Sequence, residues 1–239
     1  MSTASHQPLN QLLACLPEEE WARLMPFLEK VHLPPGQSLY ESGTTIRHVF
    51  FPLSGHVALH GMTESGDSSL LSLVGREGVV GVSSFMGGLS VTSYATVLAG
   101  GDFLRMRADD LRREFEQSVP LLHLLLRYTQ ALIAQMAQTS VCNRHHTVEH
   151  AFSRLLLLSL DRSPGTELLL THEKMANFLG VRREGVSEAA MRLQRRGVIS
   201  YTRGHIQVLN RKGLEQTTCE CYEVIRKEYA RLLPMQQAI

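Results

Sequence analysis

Residues 171–200, THEKMANFLGVRREGVSEAAMRLQRRGVIS, constrain the fold of this chain more than any other segment. Their pattern predicts two helices joined by a tight turn at Gly180, with Thr171 as the N-cap of the first helix. Ala176 lies four residues before that glycine and Val186 six residues after it. A small residue and a β-branched residue at this spacing allow two helices to cross at close range, so the segment predicts a helix-turn-helix.

The residues that follow the second helix extend this motif. Gly197 ends the helix, and the stretch ISYTRGHIQVL predicts two short strands around Arg203, Gly204 and His205. Gly204 supplies the positive φ that a tight hairpin needs. Together these elements predict a winged helix, with Arg203 at the tip of the wing.

Positive charge is concentrated in the same region. Residues 171–213 hold nine lysines and arginines against three acidic residues, whereas the whole chain has a net charge of only +1. A local basic surface on a nearly neutral chain is typical of a module that neutralises DNA phosphates, and the first turn of the second helix would face the base edges. The residues expected to contact DNA are Thr171, Arg182, Arg183, Glu184, Ser187, Glu188 and Arg203.

Two of these positions have alternative roles. Arg183 is at the start of the second helix, where its guanidinium can bind either a guanine or a phosphate. Arg182 is expected to contact the DNA backbone. Glu188 either accepts a hydrogen bond from a cytosine or forms a helix-surface ion pair with Arg192, four residues on. The competing interpretation of the whole segment is an ordinary helical hairpin with a solvated charged face.

The N-terminal half has a different pattern. Residues 34–106 consist of short apolar runs separated by many glycines, after one short amphipathic helix. Many short strands at regular spacing predict an antiparallel sandwich or jelly roll rather than a parallel sheet. A length of 239 residues with 44% apolar side chains is enough for two modest cores.

A long apolar helix is predicted between the two regions, beginning at Ser118 and Pro120. Along it, apolar positions alternate four and three residues apart, which is typical of paired helices. We expect a homodimer through this stripe, and the alternative is a single helix packed on its own β domain. The expected interface residues are Leu121, Leu125, Tyr128, Leu132, Gln135 and Thr139.

These elements, in this order, resemble the Crp/Fnr family of bacterial transcription regulators. The family's recognition helix often begins with Arg-Glu and has Ser or Gly three residues after the Glu, which Arg183, Glu184 and Ser187 match. Glu188 departs from the pattern, because the best-known members have arginine there. The stretch PPGQSLYESGTTIRHVFFPLSGHVAL is similar to the opening strands of the family's β-roll.

The resemblance implies an α+β protein with three parts. These are a cyclic-nucleotide-binding-like β-roll sensor domain in residues 1–118, a dimerisation helix in 119–144 and a winged helix-turn-helix in 145–239. It further implies a sequence-specific transcription regulator that binds a palindromic operator as a homodimer, with RNA polymerase as a further partner. The alternative is a sensor module whose C-terminal domain binds another protein.

The family's effector pocket is altered in this chain. Cyclic-AMP-binding members carry Gly-Glu-x-Gly followed by Arg-Ser-Ala, whereas this chain has Gly-Val-Val-Gly, then Thr-Ser-Tyr, and no arginine within residues 78–101. Burying a phosphate without a cation is costly, so cyclic AMP is not expected as the effector. The residues that the resemblance places in the pocket are Gly78, Val79, Gly81, Thr92, Ser93, Thr139 and Ser140.

Iron–sulfur, haem and zinc cofactors are not expected either. An iron–sulfur sensor of this family needs several clustered N-terminal cysteines, but only one cysteine precedes Cys142. Cys142, His146 and His150 share a helical face that suits zinc or haem iron, yet no fourth ligand is evident. Cys219 and Cys221, two residues apart on a predicted helix, are expected to point in different directions. The preferred interpretation is a polar hinge without a metal.

Neither catalysis nor a membrane segment is expected. No recognisable nucleophile triad, P-loop or HExxH motif is present, so the chain is not predicted to be an enzyme. It contains no run of eighteen apolar residues, and its polar start MSTASHQPLN is unlike a signal peptide. We therefore expect a cytoplasmic protein that has no contact with a membrane.

Overall fold

A computed structural model describes residues 10–88, 90–163 and 165–233 of the chain. The N-terminal part begins with a 3-10 turn (Leu13–Cys15), helix α1 (Glu18–Leu24) and a second 3-10 turn (Met25–Phe27). The strands that follow are β1 (Glu29–Leu33), β2 (Ser38–Tyr40), β3 (His48–Pro52), β4 (His56–Met62), β5 (Ser68–Val74), β6 (Tyr94–Ala99) and β7 (Gly101–Arg107).

These strands form two antiparallel sheets, in the orders β1-β7-β3 and β2-β6-β4-β5. Phe51 of β3 and Phe103 of β7 face inward from the first sheet, and Leu73 of β5 and Val97 of β6 face inward from the second. None of the four has solvent-exposed area. The predicted antiparallel β-roll is confirmed.

Helix α2 (Ala108–Gln117) leads into the long helix α3 (Val119–His145). Ser118 caps α3, because its Oγ accepts a hydrogen bond from the backbone N–H of Leu121 at 3.2 Å, and Pro120 stands in the first turn. Both features agree with the predicted start of the helix. Proline is tolerated there because the first N–H groups of a helix have no partner within the helix.

The expected dimer stripe lies inside the protomer, which corrects the interface residues. Leu121, Leu125, Tyr128, Leu132, Gln135 and Thr139 are each at most 3% exposed. Tyr128 Oη donates to the backbone oxygen of Val79 at 3.0 Å, and Gln135 Nε2 donates to that of Leu73 at 3.4 Å. This face of α3 packs on the β domain of the same chain. It is therefore not exposed to a second chain.

The C-terminal part is helical with a small sheet. Its elements are α4 (Val148–Leu160), β8 (Glu167–Leu169), α5 (His172–Leu179), α6 (Arg183–Arg195), β9 (Ile199–Thr202), β10 (His205–Val208), α7 (Arg211–Gln216) and α8 (Glu220–Leu232). The predicted hairpin is β9 and β10, and β8 adds a third antiparallel strand against β10. The partner of the C-terminal helix, which sequence reasoning did not identify, is α3, along which α8 packs.

A buried arginine joins these parts. Arg162, just after α4, places its Nε 2.6 Å from Glu77 Oε1 in the β domain and its Nη2 3.2 Å from Gln135 Oε1 of α3. Its guanidinium also lies over the ring of Tyr229 in α8, 5.9 Å from the centroid. One side chain therefore contacts the β domain, the long helix and the C-terminal helix. In the ranges given above, none of the helices combines the length and hydropathy needed to cross a membrane.

Candidate nucleic-acid interface

The helix-turn-helix is built from local signals. Thr171 Oγ1 accepts from the backbone N–H of Lys174 at 3.2 Å, which caps α5. The helix ends at Gly180, whose φ of 64° lies in the left-handed region that favours glycine. Ala176 and Val186 are buried where α5 and α6 cross. The predicted cap, turn and crossing residues therefore have the roles that the sequence indicated.

The first turn of α6 is open to solvent. Arg182 is its N-cap, and Arg182, Arg183 and Glu184 are all exposed. Among the described residues, neither arginine forms an ion pair with a carboxylate, in contrast to Arg192 and Arg196, which both bind Glu149. The arginines at the start of the helix are thus available to an external anion, whereas Arg192 and Arg196 near its end are held by Glu149 of α4.

The wing carries a third exposed cation. Arg203 and Gly204 connect β9 to β10 with φ of 47° and 89°, the two positive values of a tight hairpin turn. Tyr201 Oη accepts from the Gly204 N–H at 3.2 Å and so braces the turn. Arg203 is exposed and also has no carboxylate partner within the described ranges.

His172 connects the three pieces of the motif, and sequence reasoning missed it. Its ring stacks on Tyr201 of the wing at 4.0 Å between centroids, and its Nδ1 lies 2.9 Å from Ser187 Oγ of α6. Burial, and then the charge of Arg183, lower the pKa of His172. A neutral ring suits this packed position. No periodicity marks a residue whose partners lie 15 and 29 positions away.

Ser187 and Glu188 are already engaged within the protein. Ser187 Oγ donates to the backbone oxygen of Arg183 at 3.0 Å, so it accepts from His172. Glu188 Oε2 lies 3.6 Å from Arg192 Nη1, which is the surface pair that the spacing allowed. A role for Glu188 in reading bases stays a prediction, and it requires the carboxylate to leave this weak pair.

The residues expected in an effector pocket differ in how deeply they are buried. A Cβ at Gly78 would overlap the Tyr128 hydroxyl, so the tyrosine covers the start of the Gly-Val-Val-Gly stretch. Val79 is fully buried in the core, and Gly81 has the positive φ of a turn, 105°. Thr92 is exposed and Ser93 is half-buried, both in the loop before β6.

The two pocket residues expected from α3, Thr139 and Ser140, have different surroundings, and their role in a pocket stays a prediction. Thr139 Oγ1 donates to the backbone oxygen of Gln135 at 2.8 Å and accepts from Arg154 Nη1 at 3.1 Å, so it faces α4. Ser140 beside it is exposed. Consecutive helical residues point about 100° apart, so the two hydroxyls face different directions.

Two family models match the chain. The family described as "Cyclic nucleotide-binding domain" matches residues 30–118, and the "Crp-like helix-turn-helix domain" matches residues 151–217. No curated protein sequence matches significantly.

Solved structures with this fold include the following three. FixK2 from Bradyrhizobium japonicum has 16% identity and a TM-score of 0.67, over 80% of this chain and 98% of its own. A CRP-family transcriptional regulator from Thermus thermophilus has 18% identity and a TM-score of 0.66, over 78% and 95%. CLP from Xanthomonas campestris, described as a c-di-GMP-responsive global regulator, has 15% identity and a TM-score of 0.64, over 80% and 99%. At these identities the likeness shows the fold.

The fold is that of a two-domain regulator, with a β-roll and a winged helix joined by a long helix. One family model matches the residues before α3, and the other matches residues after it. The chain belongs to the Crp/Fnr family of transcription regulators, as the resemblance implied.

Proposed function

We propose that this protein is a sequence-specific DNA-binding transcription regulator that binds a palindromic operator as a homodimer. The observation that carries the proposal is that three exposed arginines without an acidic partner in the described residues lie on the helix-turn-helix and wing: Arg182 and Arg183 at the start of α6 and Arg203 at the wing tip. Side chains at the N-terminus of such a helix contact base edges, and cations beside them contact phosphates. As in other regulators of this class, RNA polymerase is the further partner that we infer.

The dimer is proposed through the outer face of α3. Val119, Leu126, Ile133 and Val141 are 64%, 44%, 56% and 48% exposed, although all four are large and apolar. The first three are spaced by seven residues and therefore lie on one side of the helix. Two copies paired along this stripe are related by a two-fold axis, which places two recognition helices on a palindrome.

DNA binding is tested by selection from random duplexes, followed by gel shifts on the selected site at several salt concentrations. We expect a palindromic consensus and an affinity that falls steeply with salt, because phosphate contacts release counterions. Arg183→Ala is expected to weaken specific binding by about 1–3 kcal/mol, since a bidentate contact to a guanine or a charged contact to a phosphate is lost. Arg47→Ala, which removes an exposed arginine of the β domain, is the matched control.

Two outcomes would each contradict one of these two expectations, DNA binding and the role of Arg183. If the gel shifts show no specific band, the DNA-binding proposal fails and the C-terminal domain becomes a candidate protein-binding module. If Arg183→Ala and Arg47→Ala bind the selected site equally well, the regulator stands but Arg183 does not contact the operator.

We also propose that cyclic AMP does not control this regulator. Val79 is buried in the position where the ribose carboxylate would be, and Tyr128 covers Gly78. No arginine is available within residues 78–101 to hold the phosphate. Isothermal titration with cyclic AMP at millimolar concentration should give no saturable heat, and the operator affinity should be the same with and without the nucleotide. Saturable binding at micromolar concentration would show that the pocket argument is wrong.

A further inference from the structure

Three cysteines and one histidine from distant parts of the chain meet beside the junction of α3 and α4. They are Cys142 near the end of α3, His146 at its C-cap, Cys219 at the N-cap of α8 and Cys221 within α8. One ligand atom from each side chain lies within 4.8 Å of all the others. All three cysteines are buried, and none is in a disulfide. We call these four residues the Cys3His cluster.

The contacts within the Cys3His cluster match the edges of a small tetrahedron. Cys142 Sγ lies 3.5 Å from Cys219 Sγ, and Cys221 Sγ lies 3.3 Å from His146 Nδ1. Around zinc, two ligand atoms at a tetrahedral angle are separated by about 3.5–3.8 Å, given the usual zinc–sulfur and zinc–nitrogen bond lengths. A multi-iron cluster holds its thiolates further apart, because each one binds a different iron.

This geometry depends on where α8 begins. Cys219 has extended backbone angles, φ −85° and ψ 168°, because it precedes the helix. The two thiols therefore do not follow the helical rotation that was expected to separate them, and both face Cys142. His150 lies outside the cluster, and its ring centroid is 6.2 Å from that of His146.

The surroundings of the cluster have the features of a metal site's outer shell. His146 turns Nδ1 toward Cys221 and Nε2 toward Glu220 Oε1, at 3.3 Å. A metal-bound histidine characteristically directs its other ring nitrogen to a carboxylate in this way. Gln138 Nε2 donates to Cys221 Sγ at 3.1 Å, which is the kind of hydrogen bond that a thiolate ligand accepts.

A buried positive charge next to the cluster lacks an anion. Arg154 is 2% exposed, and it takes part in none of the ion pairs that the described residues form. It donates to Thr139, its Nε has no partner there, and it lies beside Cys142. A buried guanidinium is costly unless a negative group is near. A divalent cation with three thiolates and one neutral imidazole carries a net charge of −1, which balances Arg154.

We propose that Cys142, His146, Cys219 and Cys221 bind one thiophilic divalent cation of the Zn²⁺ type. Four protein ligands leave no open position, so the site is structural rather than catalytic. On binding, the hydrated ion loses its water ligands, and three metal–sulfur bonds and one metal–nitrogen bond form in their place. The thiols release their protons to solvent, and the metal stays divalent. No electron is transferred.

The bound cation would hold the winged helix in one orientation. The ligands come from the end of α3, the turn into α4 and the start of α8, and Thr147, next to His146, caps α4. A single ion therefore connects the helix that packs on the β domain with the two ends of the C-terminal domain.

The test uses the full chain, purified under reducing conditions and loaded with Zn²⁺ or Co²⁺. We expect about one metal ion per chain by elemental analysis. Co²⁺ should give thiolate-to-metal charge-transfer absorption and the visible bands of a tetrahedral centre. Cys219→Ser and Cys221→Ser should lower the affinity at least about tenfold, whereas Cys15→Ser, outside the cluster, should not. His146→Cys should retain the ion and shift the spectrum toward four sulfur ligands, which separates loss of a ligand from loss of folding.

Three results would overturn the proposal. The first is a folded, reduced protein that takes up neither Zn²⁺ nor Co²⁺, and the second is bound iron with acid-labile sulfide in equal amounts. The third is a protein mass lower by two hydrogens because of a Cys142–Cys219 disulfide. Metal content and the Co²⁺ spectrum are measured without DNA. Their outcome is therefore independent of whether the protein binds an operator.

Discussion

Arg162→Met is expected to lower the free energy of unfolding by about 3–5 kcal/mol, because it removes one partner of a buried ion pair. Arg162 is 5% exposed and Glu77 is 9% exposed, so the carboxylate left behind stays out of reach of bulk water. The guanidinium also donates to the backbone oxygen of Leu158 at 2.8 Å and to Gln135. These acceptors would lose their donors at the same time.

Urea denaturation of the purified variants measures this loss. Arg226→Ala is the matched control, because Arg226 forms an exposed pair with Glu223 on α8. A surface pair of this kind contributes at most about 1 kcal/mol. The double variant Arg162→Met/Glu77→Leu should recover much of the stability, since it leaves no unpaired buried charge. If Arg162→Met costs no more than Arg226→Ala, the buried pair does not hold the domains together.

Ile133→Glu is expected to convert the proposed dimer into monomers. In a two-fold interface each substitution occurs twice, so two buried isoleucines are lost and two carboxylates are placed near each other. Losing the burial of both side chains alone costs about 3–6 kcal/mol. The dimer dissociation constant should therefore rise by at least about 100-fold. The monomer itself should stay folded, because Ile133 is 56% exposed within it.

Sedimentation equilibrium measures the association, and circular dichroism checks the fold. Met62→Glu introduces the same charge at another exposed apolar position, on β4, and should leave the dimer intact. Leu132→Glu, on the inner face of α3, should instead unfold the protomer, since Leu132 is 2% exposed. A wild-type monomer, or an Ile133→Glu protein that dimerises as tightly as Met62→Glu, would contradict the proposed interface.

The winged helix could be predicted because its determinants are local. Thr171 caps the helix that begins beside it, Gly180 adopts the left-handed conformation where α5 ends, and Gly204 turns the hairpin. Each of these residues acts on neighbours within a few positions, so the residues that interact are also close together in the sequence. The same holds for Ser118 and Pro120 at the start of α3.

The role of each face of α3 could not be predicted in this way. Heptad spacing identifies which residues share a face, but both faces of this helix are apolar. The stripe containing Leu125 and Leu132 is covered by the β domain and α8, and the one containing Leu126 and Ile133 is left open. Which stripe is covered depends on how distant elements pack, and periodicity along one helix carries no information about that.

The sequence by itself determined the order of the domains, the boundaries of the helix-turn-helix and the exposed arginines of its first turn, because short-range sterics and hydrogen bonds decide them. Only the tertiary structure decided that Arg162 joins three elements, that His172 supports Ser187, and that the Cys3His cluster exists. Cys142 and Cys219 are 77 residues apart in the chain, yet their sulfurs lie within 3.5 Å. Contacts at such separations arise from the packing of α8 on α3, which brings together residues that no local pattern relates.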